Sequence, residues 1–393
     1  MLFKIAIKNL LGARLRTWLN VFVTALSFFM IILFSAMYDG MREHAKQVTI
    51  DTEIAGGAYW HPQYDPLDPI TFEDAHATLP SAVKTLVNQG KAFPVLVSQA
   101  TIYPDGRIMP VIMKGILPEQ DIVNMPTQML ANHQEVTIPV LIGRSMANNA
   151  KLEVGDAFTI RWLDANQTYD ADEGTVVHIM DTENFKLDIG HVWIPLEKAQ
   201  TMLAMEEEAT YVTYAKGLSI EENRGDWIPR DVKFLIRDME ALIEADEPNA
   251  AIMYIILLCF AAMGIFNAQV LSIFRRGKEI GTLMALGMTR SRVVGLFTIE
   301  GGLNALLAGI MTVIFFGPLL WYVGVNGIWL GVDYSDGAMG IIVEKYLIPV
   351  YSVKLVVTTT IVVSFIVLIV SYLPSRRIAK MKPTDALRGK VSV

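Results

Sequence analysis

Four long apolar segments constrain this chain more than any other feature of its sequence. Each is close to, or above, the length of about 20 residues that an α-helix needs to cross the hydrocarbon core of a bilayer. They are residues 19–38, 250–274, 293–325 and 355–373. Composition agrees, because 52% of the residues are hydrophobic and only 19% are charged, compared with roughly a quarter charged in soluble domains. The sequence therefore predicts four transmembrane helices, which we name TM1 to TM4 in chain order.

Two of these segments allow a second interpretation. TM3 is longer than one crossing requires and contains Gly309, Gly317 and Pro318, so we expect it to tilt, to kink or to include a re-entrant part. TM1 follows a basic start, as a secretory signal peptide does. Its apolar run is longer than the usual signal core, and the bulky Met37 and Tyr38 leave no small-residue cleavage site. We therefore expect TM1 to be retained.

Charge predicts the orientation of the four helices. The segments 1–18, 275–292 and 374–393 together hold 15 basic residues and two acidic ones, whereas the rest of the chain holds 18 basic and 38 acidic residues. Lys and Arg accumulate in the short cytoplasmic segments of membrane proteins. We expect both termini and residues 275–292 to be cytoplasmic, and residues 39–249 and the short loop 326–354 to lie outside, as in a multi-pass protein of a bacterial inner membrane.

The outside region 39–249 is large enough for a core of its own. Strand-like patterns occur at 93–103, 107–114, 136–142, 157–162, 175–180, 191–195 and 210–214, and helical patterns at 80–89, 143–150, 196–205 and 230–245. Asp105-Gly106 between the first two strands predicts a hairpin turn. The last helical pattern leads to TM2, and apolar residues from Met37 to Val48 extend TM1 in the same way. The sequence predicts a large mixed α/β periplasmic domain, carried on a helical stalk and inserted between the first and second spans.

The cytoplasmic segment 275–292 contains a pattern that its neighbours lack. Its apolar residues have helical spacing, Gly277 and Gly287 mark the helix ends, and five basic residues lie within the segment. The apolar and acidic positions are Glu279, Ile280, Leu283, Leu286 and Met288. We predict a short amphipathic helix that docks on a partner protein. A helix that rests on lipid headgroups is the alternative.

The same segment resembles the cytoplasmic loop of the MacB/FtsX-like ABC transporter permeases, a family that includes lipoprotein-releasing (Lol-type) and macrolide-exporter-type permeases. The matching residues are Glu279, Ile280, Gly281, Leu283, Ala285, Leu286 and Gly287, with Met284 in place of the usual basic residue. Residues 373–388 resemble the closing motif of that family, residues 142–156 resemble part of its periplasmic domain, and residues 1–18 resemble its amphipathic elbow helix. The resemblance implies that Glu279, Ile280, Gly281, Leu283, Leu286 and Gly287 belong to a coupling helix that seats on an ABC ATPase subunit.

The resemblance also implies a function. The chain would be the permease subunit of a mechanotransmission-type ABC transporter, and ATP and Mg would be bound by the partner ATPase, because no phosphate-binding loop motif occurs in this sequence. A second permease, identical or paralogous, membrane lipids, and a lipoprotein or periplasmic carrier are the other implied partners; no nucleic acid is expected. We favour lipoprotein release from the inner membrane, with peptide or drug efflux and FtsX-like control of a cell-wall hydrolase as alternatives. A membrane-anchored binding protein without any ATPase is a different class that also remains open.

Few residues in the sequence are candidates for catalysis or metal binding, and we predict neither a catalytic residue nor a metal site. The six histidines lack paired ligand spacing. His61 with Asp65 and Asp68 could hold a cation, but the pattern is more typical of a solvated turn. Glu300 lies well inside an apolar run, where a carboxylate is costly unless it is paired or faces water. It is a functional candidate together with Asn304 and Asn267. A purely structural alternative pairs Glu300 with Arg290 or Arg292.

Overall fold

The computed structural model describes residues 14–131, 133, 136–182, 184–218, 226–329 and 346–378. The described chain forms two compact units. The helical unit takes residues 14–43, 244–329 and 346–378, and the sheet unit takes the described part of residues 44–243. The predicted elbow helix falls largely outside the described residues, as do most of the loop 326–354 and the closing motif at 383–388.

The first helix, α1, spans Arg14–Thr49 and continues as a π-helical turn over Ile50–Ile54. It includes the whole of TM1 and runs well beyond it, as the apolar residues after Met37 predict. The turn ends at Ala55 and is followed by Gly56 and Gly57, whose φ is +130°. Glycine adopts such backbone angles without steric cost, so the chain can leave the helical turn here and begin the first strand of the sheet unit.

The sheet unit is built from short strands with five helices between or after them. The strands are β1 (Gly57–Trp60), β2 (Ala77–Thr78), β3 (Ala92–Tyr103), β4 (Met109–Ile116), β5 (Ile138–Gly143), β6 (Ala157–Leu163), β7 (Tyr169–Met180), β8 (His191–Pro195), β9 (Glu208–Ala209), β10 (Tyr211–Tyr214) and β11 (Ile228–Asp231). The helices are α2 (Ser81–Asn88), α3 (Arg144–Ala150), α4 (Phe185–Asp188), α5 (Leu196–Leu203) and α6 (Val232–Leu235).

Nine of these strands form one sheet in the order β11-β1-β10-β3-β4-β8-β5-β7-β6. The additional pairing of β3 with β6 joins six of them, from β3 round to β6, into a closed ring. Alternate residues of the ring strands point inward and bury an apolar core, to which Ile102, Ile138, Ile160 and Trp162 contribute. The Trp162 Nε1–H donates a hydrogen bond of 2.7 Å to the Met202 carbonyl of α5, so the ring interior has its polar indole group satisfied.

Each of the seven predicted strands has a counterpart, and the hairpin predicted at Asp105-Gly106 joins β3 to β4. The helix predicted at 230–245 is wrong in its first part. Residues up to Asp231 belong to β11, the Asp231 carboxylate accepts from the Phe234 amide at 2.7 Å as an N-cap, and the helix is interrupted at Ile236. The prediction failed because Pro229 fits an edge strand as well as a helix start.

The helical unit continues with α7 (Arg237–Arg275), α8 (Gly277–Ala285), α9 (Arg290–Met311), α10 (Gly317–Asn326) and α11 (Val353–Ile378). A two-residue ribbon, β12 (Ile328–Trp329) with β13 (Tyr346–Leu347), lies between the last two helices. Four helical segments are long and apolar enough to cross a membrane: Trp18–Ile54, Arg237–Leu271, Arg290–Asn326 and Val353–Arg376. Among the described residues, these are the only such segments.

TM3 has the irregularity that its glycines and proline predict. A π-helical turn over Thr312–Phe316 separates α9 from α10. Pro318 has no amide hydrogen, and its ring crowds the carbonyl four residues earlier, so a regular α-helical ladder cannot run through this point. Inside the unit, apolar side chains of α1, α7, α9 and α11 pack together. Many large apolar side chains on the same helices remain exposed, as expected of surfaces that face lipid.

Candidate functional site

The short helix α8 packs one side against α9. Ile280 is buried with Val293 and Phe297 of α9, and Gly281 is buried beside it. The helix ends in a Schellman motif, in which the Met288 amide donates to the Leu283 carbonyl at 3.0 Å and the Gly287 amide donates to the Met284 carbonyl at 3.1 Å. Gly287 has a φ of +93°, a conformation that favours glycine. The predicted amphipathic helix therefore exists, and its end is fixed by the backbone.

The opposite side of α8 is open. The Leu286 side chain is 81% exposed, which is unusual for a leucine in a short packed helix, and Glu279 is exposed beside it. Gly287 is exposed as well, whereas Leu283 is half-buried. The six residues predicted to form the coupling site thus differ in exposure. Ile280 and Gly281 are buried on the α9 side, Leu283 is half-buried, and Glu279, Leu286 and Gly287 are exposed.

Arg276, at the break between α7 and α8, ties the base of the helix to α9. Only 6% of its side chain is exposed. Its Nε donates to Glu279 Oε2 at 2.6 Å, its Nη1 donates to Glu300 Oε2 at 2.5 Å, and its Cζ lies 4.8 Å from the centroid of the Phe297 ring. Breaking a buried pair of this kind costs up to about 3–5 kcal/mol, because the remaining side chain loses its buried counter-charge.

This contact corrects the predicted partner of Glu300. The predicted partners, Arg290 and Arg292, are both exposed, and the ion pair is with Arg276. Sequence distance misled because α8 folds back on α9 and returns residue 276 to the level of residue 300. The sequence signals only the neighbouring pair, since Arg276 and Glu279 have the spacing of three that is typical of a helical ion pair.

The other intramembrane polar residues occupy different environments. Asn304 is buried on α9, and its Oδ1 has no hydrogen-bond partner among the described residues. Asn267 on α7 is exposed instead, whereas Gln269 is buried. Next to Glu300, a Cβ placed on Gly301 would lie 2.1 Å from Ser371 Oγ of α11. The backbones of α9 and α11 therefore approach closely at a point where only glycine fits.

A groove of about 530 Å³ lies elsewhere in the helical unit, between α1, α7 and α11. Phe34, Met253 and Leu257 contribute to its apolar walls. At one end the lining becomes charged, with Arg42 and Glu247 joined at 3.6 Å and the Tyr38 hydroxyl donating to Asp246 at 2.8 Å. The groove is thus amphipathic along its length.

No group of three or more His, Cys, Asp or Glu side chains within the described ranges is arranged to hold a metal ion. The turn predicted near His61 is formed by its aspartates: Asp65 Oδ1 accepts from the Leu67 amide at 2.9 Å, and Asp68 Oδ1 accepts from the Ile70 amide at 3.2 Å. These carboxylates stabilise local backbone, as solvated turn residues do.

Comparison with known proteins agrees with these features. Residues 251–383 match the family model described as FtsX-like permease C-terminal. The chain is 25% identical over 336 residues to the lipoprotein-releasing system transmembrane protein LolC of Neisseria meningitidis, covering 76% of this chain and 77% of that one. It is 26% identical over 153 residues to the macrolide export ATP-binding/permease protein MacB of Escherichia coli, and 33% identical over 136 residues to an uncharacterized ABC transporter permease of Methanocaldococcus jannaschii. Those two matches span only 21% and 31% of the respective relatives.

The four apolar helices and these relatives define a multi-pass protein of the inner membrane. The FtsX-like permease domain at residues 251–383 and the LolC and MacB relatives support an FtsX/MacB/LolC-type ABC transporter permease. An ABC permease of this kind implies an ATPase partner.

Proposed function

We propose that this permease couples ATP hydrolysis by a separate ATPase subunit to movement of its sheet unit on the periplasmic side. One observation carries the proposal. Helix α8 is fixed on one side by Ile280 and Arg276, while the opposite side offers Leu286 to a partner. ATP and Mg would be bound by the ATPase. Asn267, exposed on α7, would be covered by a second permease, identical or paralogous.

Force would pass from α8 to α9 through the Arg276–Glu300 pair. An ATPase that closes around nucleotide would displace the exposed side of α8. Because the Arg276 guanidinium holds both Glu279 and Glu300, displacement of α8 would move α9 with it. The close approach of Gly301 to Ser371 would carry the same movement to α11.

The experiment that tests docking uses Leu286→Asp in the full transporter. An aspartate at a desolvated subunit contact would be buried without a partner, so the ATPase should dissociate while the permease stays folded. Pull-down of the ATPase and ATP turnover in the reconstituted complex are the measurements. Leu67→Asp is the matched control, since Leu67 is an equally open leucine, 74% exposed, in the sheet unit. Retention of the ATPase by Leu286→Asp would reject the coupling assignment and favour a helix that rests on headgroups.

For the cargo, we propose a lipoprotein that is released from the inner membrane. The amphipathic groove supports this choice, because acyl chains fit walls such as Phe34 and Leu257 and a polar protein moiety fits the charged end near Arg42 and Asp246. The similarity to LolC, which extends over most of both chains, points the same way. The similarity to MacB keeps efflux as the second candidate.

A photo-crosslinking residue at Met253, inside the groove, separates the two cargo candidates. We expect it to capture a lipoprotein from native membranes, whereas the same crosslinker at Phe365, an exposed position of α11 outside the groove, should capture only lipid. Competition of the Met253 crosslink by a macrolide, with no lipoprotein adduct, would favour efflux.

A further inference from the structure

A second cavity, of about 380 Å³, lies within the sheet unit and is separate from both α8 and the groove. Its floor is one face of strands β11, β1 and β10. Ala58 on β1 pairs with Arg230 on one side and with Thr213 on the other, so these three side chains share that face. The small methyl group of Ala58 leaves space between its larger neighbours. Trp60 and Phe234 contribute to the walls.

Arg230 is held in this cavity by aromatic rings. Its Cζ lies 4.0 Å from the centroid of the Phe234 ring and 5.5 Å from that of the Trp60 ring. Such contacts use the faces of the guanidinium, whereas its five N–H donors point outward in its plane. The Nε atom is buried without a hydrogen-bond partner among the described residues. A buried donor left unpaired is costly. The rings therefore hold the Arg230 guanidinium in a position where its Nε–H lacks an acceptor.

The charges around the cavity leave this cation without a counter-charge. Of the three carboxylates in the lining, Glu53 lies 3.4 Å from Lys114, Asp238 lies 3.3 Å from Arg237, and Asp65 caps its own turn. Lys186 also lines the cavity, and it is exposed. Within the part of the chain that the structure describes, neither Arg230 nor Lys186 has a carboxylate within 4 Å, although the charge of Lys186 also acts on Glu53 at longer range.

We propose that this cavity is a binding site for a phosphate group attached to an apolar body. A phosphate has oxygen atoms enough to accept from both Arg230 and Lys186, and the arginine fork matches two of them. The apolar body would lie against Trp60 and Phe234. A phospholipid and a soluble phosphate compound share this chemistry.

The two sources can be distinguished by thermal unfolding of the full chain in a neutral maltoside detergent. A ligand that binds only the folded protein raises the midpoint in proportion to its affinity and concentration. We expect dihexanoylphosphatidic acid to raise the midpoint and dihexanoylglycerol, which has the same chains without the phosphate, to leave it unchanged. If inorganic phosphate raises the midpoint as much as the lipid does, the site recognises a soluble phosphate; if it does not, the site recognises the lipid.

Substitutions assign the effect to the cavity. Arg230→Gln and Lys186→Gln should each weaken the apparent binding of dihexanoylphosphatidic acid by about tenfold, because each removes one charge-assisted contact to the phosphate. Arg161→Gln is the matched control, because Arg161 stacks on the Tyr169 ring at 4.1 Å outside the cavity. Lys186 is exposed, so its variant keeps the test open if Arg230→Gln fails to fold. An equal shift with dihexanoylglycerol, an unchanged shift in Lys186→Gln, or no shift with any phosphate probe would overturn the proposal.

Discussion

At the scale of single residues, substitutions in the Arg276–Glu300 pair should have the largest effect on transport. Glu300→Gln keeps the side-chain shape and removes one charge, so the Arg276 guanidinium retains only Glu279. We expect assembly with the ATPase to survive and ATP-driven transport to fall severalfold. The measurement is transport per ATP hydrolysed in the reconstituted complex, and wild-type transport by Glu300→Gln would show that the charge is incidental.

The pair also predicts a double-mutant result. Glu300→Met alone should lower the free energy of unfolding by up to about 3–5 kcal/mol, because the buried arginine loses its buried counter-charge and keeps only the exposed Glu279. The double variant Arg276→Met with Glu300→Met should recover most of that loss, since two apolar groups of similar size replace the pair. Thermal unfolding of the four proteins in detergent measures the coupling. Additive losses would mean that the two side chains act independently.

His191, on β8 in the sheet unit, predicts a pH dependence of stability. Burial, and then the nearby positive charge of Lys114, lower the pKa of His191 to about 4, although Glu53 opposes the shift. In the unfolded chain the histidine keeps its ordinary pKa of about 6.5. The folded state therefore binds fewer protons than the unfolded state between these values, and stability falls as pH drops below about 6.5.

The loss attributable to His191 should reach up to about 2 kcal/mol at about pH 5. Carboxylates and other histidines titrate in this range too. The informative quantity is therefore the pH-dependent change in the unfolding midpoint, compared between wild type and His191→Gln. Unfolding midpoints of both proteins at about pH 7.5 and about pH 5 provide it. Parallel pH profiles would show that His191 protonates as easily in the folded state as in the unfolded one.

At the scale of elements, the crossing of α9 and α11 gives a sharp contrast between two glycines of one helix. Gly301→Ala would place a methyl group 2.1 Å from Ser371 Oγ, so the helices must separate at a cost of about 1–3 kcal/mol. Gly309→Ala meets no atom within 4 Å and should be neutral, or stabilising by up to about 1 kcal/mol, because alanine favours helix. Thermal unfolding in detergent compares them. Equal changes in the unfolding midpoint of the two variants would mean that α9 and α11 do not pack tightly at Gly301.

Long elements with a clear hydrophobic pattern were predictable from the sequence. Short strands, which are recognised only by their pairing with other strands, were not. The ring strands are apolar or alternating runs of five residues or more. The apolar spans and the α8 motif are longer than five residues as well, so each of these elements can be recognised in the sequence without its partner. β1 and β11 have four residues each, and Pro229 interrupts the pattern of the second. The cavity at Arg230 was missed for the same reason, because its floor exists only after β11, β1 and β10 have paired.

At the scale of the whole molecule, charge predicts which side of the membrane each segment occupies. A reporter inserted at Gly217, an exposed turn with a φ of +82°, should be found outside, since exposed turns tolerate insertion. A reporter at Arg290 should be cytoplasmic, because the 15 basic and two acidic residues of the predicted inner segments fix that side. Protease protection in right-side-out vesicles checks both. A cytoplasmic Gly217 reporter would invert the proposed topology.

The pairing of β1 bears on how this protein is made. Residues 57–60 leave the ribosome early, yet their hydrogen-bonding partners are β10 and β11, at residues 211–214 and 228–231. β3 likewise waits for β6 and β10. Pairings so distant in sequence form slowly and cannot form until the later strand is present. With the proposed topology, β1 would cross the membrane and remain unpaired, open to periplasmic proteases and chaperones, until residues 211–231 have been translated and exported.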